Sequence, residues 1–193
     1  DYNMRYDGTQ NFPKGRRMGV FPGASAGWVL SNEPFWKKSI HTLDYFKIRA
    51  SWGQMGNDQI DPFQYLSTYG FSAGGVMLGG DLNKGIYQLR SPNADITWEV
   101  ANNYDVGVEA KILGDKLAFE GDYFLTRRSN ILVSRSLSMP AYTGMTLPQE
   151  NIGRVENKGF ELVLSHKNDI RKFHYEVIGT LTHAKNRILY WDE

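Results

Sequence analysis

The feature that most constrains the fold is a strict alternation of apolar and polar residues over unusually long segments. Apolar side chains occupy every second position from Tyr104 to Ile112, and the pattern resumes after a short turn from Leu117 to Leu125. A third segment of this kind runs from Tyr45 to Gly53. Period two predicts strands with one apolar and one polar face. With their flanking residues, these segments reach the roughly 9–11 residues that a tilted strand needs to cross a bilayer.

The first two segments predict a hairpin with a definite register. Pairing Ile112 with Leu117 places all the apolar residues of both strands on one face. The same register sets Glu109 opposite Glu120, a like-charge pair that costs from a few tenths to about 1 kcal/mol. Water on the polar face, with Lys111 diagonal to Glu120, reduces that cost. The polar side of the hairpin is therefore predicted to be wet.

The connections divide into two kinds. Two are tight (113–116 and about 167–172), and two are long (about 54–95 and about 127–155). Further strands are predicted at Met18–Leu30, with Pro22 where no ladder bond is needed, and as a second hairpin on either side of 167–172. Short turns at one end and long loops at the other are typical of outer-membrane barrels. The connection from Asn32 to Asp44 departs from this layout, because it is longer and lies on the short-turn side.

Composition excludes several other classes. The 193 residues contain no cysteine and carry a formal net charge of +1, so neither a disulfide framework nor a nucleic-acid binder is indicated. No apolar run reaches the roughly 18 residues of a membrane-spanning helix. The chain has 11 Tyr, 10 Phe and 5 Trp with 20 Gly, which favours an all-β fold with many turns.

Two fold classes remain, and we expect the first. It is an all-β, antiparallel transmembrane β-barrel segment, with aromatic residues of the apolar face clustered towards strand ends as interfacial girdles do. The girdle candidates are Trp28, Phe46, Trp52, Trp98, Tyr104, Tyr123 and Phe173. About six or seven strands fall short of the eight of the smallest barrels, so the remaining strands are expected outside this chain. The alternative is a soluble β-sandwich module that binds carbohydrate through exposed aromatics.

Several stretches resemble the TonB-dependent outer-membrane receptors of the SusC/RagA family. NIGRVENKGFELVL (Asn151–Leu164) is similar to the family signature N-x-G-x-x-x-N-K-G-x-E, and GVFPGASAGWVLSNEPF (Gly19–Phe35) to a G-x-F-P-S stretch, with Gly23 in place of the serine. FKIRASWGQMGN (Phe46–Asn57) and TWEVANNYDVGVEAKILGDKLAFEGDYF (Thr97–Phe124) match further barrel blocks. The resemblance covers nearly the whole chain.

The resemblance implies more than the residues show. Residues 1–193 would be a portion of a 22-stranded barrel that encloses a plug, in the outer membrane of a Gram-negative bacterium. Such proteins import glycans or peptides with energy from TonB, beneath a SusD-like surface lipoprotein that acts as a lid. The plug and the segment that meets TonB would lie outside this chain. Outer-membrane lipid and lipopolysaccharide are further expected partners.

Two groups of residues are singled out as candidate sites. Loop aromatics are predicted to bind substrate by stacking on sugar rings or apolar side chains, the alternative being that they pack on one another. These are Tyr65, Tyr69, Phe71, Tyr87 and Tyr142. Signature residues are predicted to be structural, with glycine and asparagine permitting positive φ or close approach. These are Asn151, Gly153, Asn157, Gly159 and Glu161.

No enzyme, cofactor or metal site is predicted. The polar-face carboxylates are expected to line a pore, since glycoside hydrolysis, the third hypothesis, needs two at a set separation. They are Asp105, Glu109, Glu120, Asp122 and Glu161. The four histidines lack metal-ligand spacing. Four arginines at the long-loop end are predicted to meet lipopolysaccharide phosphates: Arg16, Arg17, Arg127 and Arg128.

Overall fold

A computed structural model describes residues 1–39, 43–134 and 148–192. Seven strands form one antiparallel sheet in the order β1-β2-β3-β6-β7-β8-β9, and two more form a separate hairpin, β4-β5. The strands are β1 Tyr2–Gly8, β2 Met18–Val29, β3 Leu43–Asn57, β4 Thr68–Leu78, β5 Asp81–Arg90, β6 Glu99–Ile112, β7 Leu117–Ser134, β8 Gln149–Ile170 and β9 Phe173–Tyr190. A 3-10 turn (Leu30–Asn32) and the helix α1 (Pro34–Ser39) follow β2.

The predicted register of the β6–β7 hairpin is confirmed. Ile112 pairs with Leu117, and the ladder runs without interruption to Val100 opposite Ser129. Because every neighbouring pair keeps this alternation, the apolar face continues across the sheet. One row reads Ala26, Ala50, Val106, Tyr123, Phe160 and His183. The sheet therefore has one apolar and one polar face over all of its central strands.

Nothing in the described residues covers the apolar face. Val106, Tyr123 and Leu164 lie on different central strands and remain exposed. The second sheet of the described part of the chain, β4-β5, makes no substantial contact with the seven strands. A soluble sandwich would bury this face against a second layer. The structure therefore favours the expected barrel segment over the alternative of a soluble sandwich, because a face that meets lipid explains the exposure.

The predicted connections are too long in several places. β3 continues to Asn57, the connection about 54–95 contains the hairpin β4-β5, and β7 and β8 extend into the connection about 127–155. The strand β1 and the helix α1 were not predicted. Pro22 lies as expected, since its only strand partner is Met4 and pairing with β3 begins at the next residue. In the described ranges, no helix has the length and apolar character that a membrane-spanning helix requires.

A small apolar core lies at the long-connection end of the sheet. Phe12, Phe21, Ile96 and Trp98 are buried together, and both phenyl rings meet Trp98 edge-to-face with centroids 5.3 Å away. The prediction that Trp98 belongs to an interfacial girdle is therefore wrong. The core packs the connections that follow β1 and β5 against Phe21 of β2.

Candidate functional site

The polar face of the sheet carries an ion-pair network centred on Arg49. Its guanidinium lies 2.7 Å from a carboxylate oxygen of Glu120 and 2.6 Å from one of Asp122, and its Nε lies 3.5 Å from Glu109. Lys47 adds a contact of 3.1 Å to Glu109. Register places these side chains on three adjacent strands, β3, β6 and β7. The network joins those strands on the polar face of the sheet.

This network relieves the like-charge pair that the sequence predicted. Glu109 does lie opposite Glu120. The relief comes from Arg49 rather than from Lys111, whose ammonium sits 5.6 Å from the centre of the Tyr45 ring. Sequence reasoning missed Arg49 because β3 is distant in sequence and its pairing partner was not known. The three carboxylates share the Arg49 guanidinium, with Lys47 as a second cation at Glu109, an arrangement that holds strands together.

Nearer the long-connection end, the same face bears a row of uncharged hydrogen-bonding side chains. Asn103, Thr126, Asn157 and Asn186 are register partners on four successive strands. The Thr126 hydroxyl donates to Asn103 Oδ1 over 2.8 Å, and Asn157 Oδ1 is enclosed with no partner among the described groups. Together with Arg128, the row lines a concavity of about 580 Å³. We call these four residues the amide row.

Part of the amide row was accessible to sequence reasoning. Extending the predicted β6–β7 register by a few residues sets Asn103 opposite Thr126, as observed. Asn186 was missed because the second hairpin was followed only as far as Leu181. Buried amide oxygens without a partner carry a desolvation cost, so the free Asn157 oxygen favours a ligand that donates a hydrogen bond.

Asn151 of the signature connects three segments of the chain through side-chain hydrogen bonds. Its side-chain amide donates to the carbonyl of Thr97 over 2.9 Å and to that of Asn130 over 2.7 Å, and its Oδ1 accepts from the Thr97 N–H over 2.9 Å. Asn130 has a φ of 59° in the irregular part of β7. The side chain therefore replaces a strand that would otherwise satisfy these backbone groups.

The two signature glycines are needed for space. Neither they nor Asn151 is among the residues with positive φ in the described ranges, so that part of the prediction is wrong. A Cβ on Gly159 would lie 2.1 Å from the His183 carbonyl oxygen and 2.7 Å from the Phe124 ring. A Cβ on Gly153 would meet the Val133 side chain at 2.8 Å. Close approach, the other predicted role, is what the structure shows.

The remaining signature residue continues the polar face. Glu161 pairs with Asp122 on β7 and with Thr182 on β9. It lies one row below Gly159 and two below Asn157, towards the short turns. Within the described ranges no group of three His, Asp or Glu side chains is arranged to hold a metal ion.

The predicted aromatics divide between two places. Tyr65 packs against the small apolar core, and its hydroxyl accepts a 3.4 Å hydrogen bond from Arg17. Tyr69, Phe71 and Tyr87 lie on the β4-β5 hairpin with exposed fractions of 64%, 69% and 51%. Register puts Tyr69 and Phe71 on one face and Tyr87 on the other. Tyr142 lies outside the described residues.

A sheet with a lipid-facing apolar side, a charged and amide-lined polar side and short turns at one end is a segment of an outer-membrane barrel wall. The sequence matches the family described as "TonB dependent receptor-like, beta-barrel" over residues 1–192. The chain therefore belongs to this family, which places it in the outer membrane of a Gram-negative bacterium.

Individual relatives agree with this membership. TonB-dependent receptor P3 of Formosa agariphila is 29% identical over 189 residues, which are 97% of this chain and 18% of the relative. TonB-dependent receptor SusC of Bacteroides thetaiotaomicron is 27% identical over 191 residues, 97% of this chain and 19% of the relative. The chain thus spans about a fifth of the length of these relatives.

Solved structures share the fold. The RagAB peptide importer in its open-open state superposes with a TM-score of 0.82 at 17% identity, over 98% of this chain and 20% of that one. Its closed-closed state gives 0.78 at 18% identity, over 97% and 20%. At this identity the likeness shows the arrangement of strands alone.

Proposed function

We propose that the chain forms part of the wall of a TonB-dependent importer that carries glycans or peptides across the outer membrane. The observation that supports this most is the two-faced sheet, with lipid-facing apolar rows and a polar face fit for a water-filled lumen. SusC and RagAB are the relatives that favour import, RagAB being a peptide importer. Residues 1–193 would then be one portion of the barrel domain.

The amide row is the best candidate for contact with the transported molecule. It lies on the polar face near the long-connection end, where a nutrient enters. Its groups are uncharged donors and acceptors, which suit sugar hydroxyls and peptide amides alike. Phe124, one row below, adds an aromatic surface at Gly159. The exposed hairpin aromatics Tyr69, Phe71 and Tyr87 would meet the molecule earlier, outside the membrane.

Two partners follow from the same proposal. A SusD-like surface lipoprotein would cover the long-connection end, as the SusC and RagAB relatives suggest. TonB would supply energy through a segment outside residues 1–193. The chain would carry out no covalent chemistry, and three of its polar-face carboxylates, Glu109, Glu120 and Asp122, are engaged with Arg49.

The test uses the full-length receptor in its own bacterium. Deleting the receptor gene should abolish uptake of one class of oligosaccharide or oligopeptide, and deleting TonB should do the same. Asn157→Ala should slow uptake several-fold at limiting substrate, whereas Asn168→Ala, an amide on the same strand outside the row, should not. Uptake that survives loss of TonB would contradict the import function, and equal effects of the two alanines would remove the amide row from it.

A further inference from the structure

Basic side chains form a second pattern, on the lipid-facing side of the sheet. On β8 and β9 the apolar face ends at Phe160 and its partner His183. On the same face, the next pair towards the long connections is Lys158 of β8 and Lys185 of β9. One step further, Arg127, Glu156 and Arg187 form a row across β7, β8 and β9. We call these five residues the basic collar.

The collar has a net positive charge despite its carboxylate. Four cations surround one anion, Glu156, which is only 7% exposed. Arg127 Nε donates to Glu156 over 2.9 Å, and Lys158 lies 3.5 Å from the other carboxylate oxygen. Lys185 and Arg187 flank them on the next strand. The buried carboxylate fixes the positions of two cations without cancelling the charge of the group.

The depth of the collar decides what it meets. Register partners are about 4.5–5.5 Å apart, so the collar is a compact patch at the edge of the apolar rows, where Lys158 pairs with Leu125 of β7. That level is the boundary between hydrocarbon and head groups, where basic residues attract anionic lipid. It lies at the long-connection end, which faces the exterior in barrels of this kind. Guanidinium groups bind phosphate with two parallel hydrogen bonds.

We infer that the basic collar binds the phosphate of a phosphorylated glycolipid in the outer leaflet, the lipid A part of lipopolysaccharide. This inference rests on the membrane orientation of the sheet and not on the transported nutrient. It goes beyond import, because it assigns to this chain a lipid site outside the lumen.

The inference selects one of the four arginines predicted from sequence. Arg16 binds Asp95 at 2.7 Å, and Arg17 donates to the carbonyl of Phe12 within the loop core. Arg128 lies on the polar face with Asn103 and Thr126. Arg127 alone of the four belongs to the collar. The sequence did not indicate the other collar residues, because they lie on β8 and β9, whose pairing near the long connections was not predicted.

The test counts lipid bound to the purified full-length receptor. Native mass spectrometry would follow the titration of detergent-solubilised receptor with monophosphoryl lipid A and, separately, with the same lipid after enzymatic dephosphorylation. We expect wild-type receptor to prefer the phosphorylated lipid. Replacing Arg127, Lys158, Lys185 and Arg187 by Gln should weaken its binding by about tenfold or more, since each cation near an anionic lipid contributes separately.

A matched control changes the same amount of charge at the opposite end. Lys116, Lys167, Arg171 and Lys172 lie in or beside the short turns, and their replacement by Gln should leave lipid A binding unchanged. Heat-modifiable migration would establish that each variant is folded. The double variant K185Q/R187Q, which leaves Glu156 and its partners intact, guards against misfolding and should show an intermediate loss.

Three results would overturn the inference. Binding of neither lipid by the wild-type receptor, or equal binding of both, would remove the role of phosphate. Loss of binding in the short-turn control as large as in the collar variant would reduce the effect to net charge. Full binding by the folded collar variants would place the lipid elsewhere on the barrel.

Discussion

Two hairpins of this chain differ in how their strands pair and in what surrounds them. The hairpin β6–β7 has one apolar and one polar face, an unbroken ladder and neighbours on both sides. The hairpin β4–β5 has two shifts of register and stands apart from the main sheet. Its large apolar side chains are exposed on both faces: Tyr69, Phe71, Val76, Met77, Leu78, Leu82, Ile86, Tyr87 and Leu89.

The difference shows what fixes each hairpin. Lipid on one side and water on the other select a single register for β6–β7, because a slip of one residue would expose charge to hydrocarbon. The hairpin β4–β5 has no such difference in environment between its two faces, so its register depends only on the pairing of its own strands. Isolated hairpins are marginally stable in water. The wall is therefore expected to be sensitive to substitution and the hairpin to be tolerant.

The largest contrast should come from a charge placed on each hairpin. Val108 lies in the middle row of the apolar face, opposite Ile48 and Gly121. Val108→Arg should destabilise the full-length receptor by about 2–4 kcal/mol, the cost of arginine near the bilayer midplane. Val76→Arg in the hairpin should change the free energy of unfolding by less than about 0.5 kcal/mol. Urea unfolding in lipid measures both, and a tolerated Val108→Arg would show that this face does not meet hydrocarbon.

The same contrast explains how much the sequence could predict. The faces and register of β6–β7 were predicted because alternation over many residues leaves one solution, and Ile112 opposite Leu117 followed from it. The hairpin β4–β5 was assigned to a loop because glycines such as Gly74 and Gly75 and a run of apolar residues hide any period. Asn151 was expected to serve backbone conformation, since its partners Thr97 and Asn130 come together only in the folded sheet.

A second contrast compares two glycines that become alanine. Gly159 in β8 has backbone on one side, with the Ala184 Cα 2.9 Å from a new Cβ, whereas nothing lies within 4 Å of a Cβ on Gly74 in β4. Gly159→Ala should cost about 1–3 kcal/mol, because β9 must shift. Gly74→Ala should be close to neutral. Thermal unfolding of the full-length receptor measures the pair, and equal midpoints would mean that β8 and β9 separate without penalty.

A third prediction concerns the junction between the hairpin and the wall. Asn151→Ala removes three hydrogen bonds to the backbone of Thr97 and Asn130 and should cost about 1–2 kcal/mol. Hydrogen exchange at the Thr97 amide should accelerate, while amides in the middle of β6 stay protected. Asn168→Ala is the control, because the oxygen of that side chain has no partner in the described structure. Unchanged exchange at Thr97 would show that the loop core alone holds the junction.

The smallest effect on stability is expected for the hairpin's own aromatic surface. Phe71 and Ile86 are paired across β4–β5 and both are highly exposed, so F71S/I86S should alter the free energy of unfolding by less than about 0.5 kcal/mol. Phe119→Ser, on the lipid-facing side of β7, removes an aromatic ring from the wall and should cost more, since hydrocarbon cannot solvate the new hydroxyl. If F71S/I86S nevertheless lowers uptake, the hairpin acts through binding. If it lowers stability as much as Phe119→Ser does, the hairpin packs on the barrel and the contrast between the two hairpins fails.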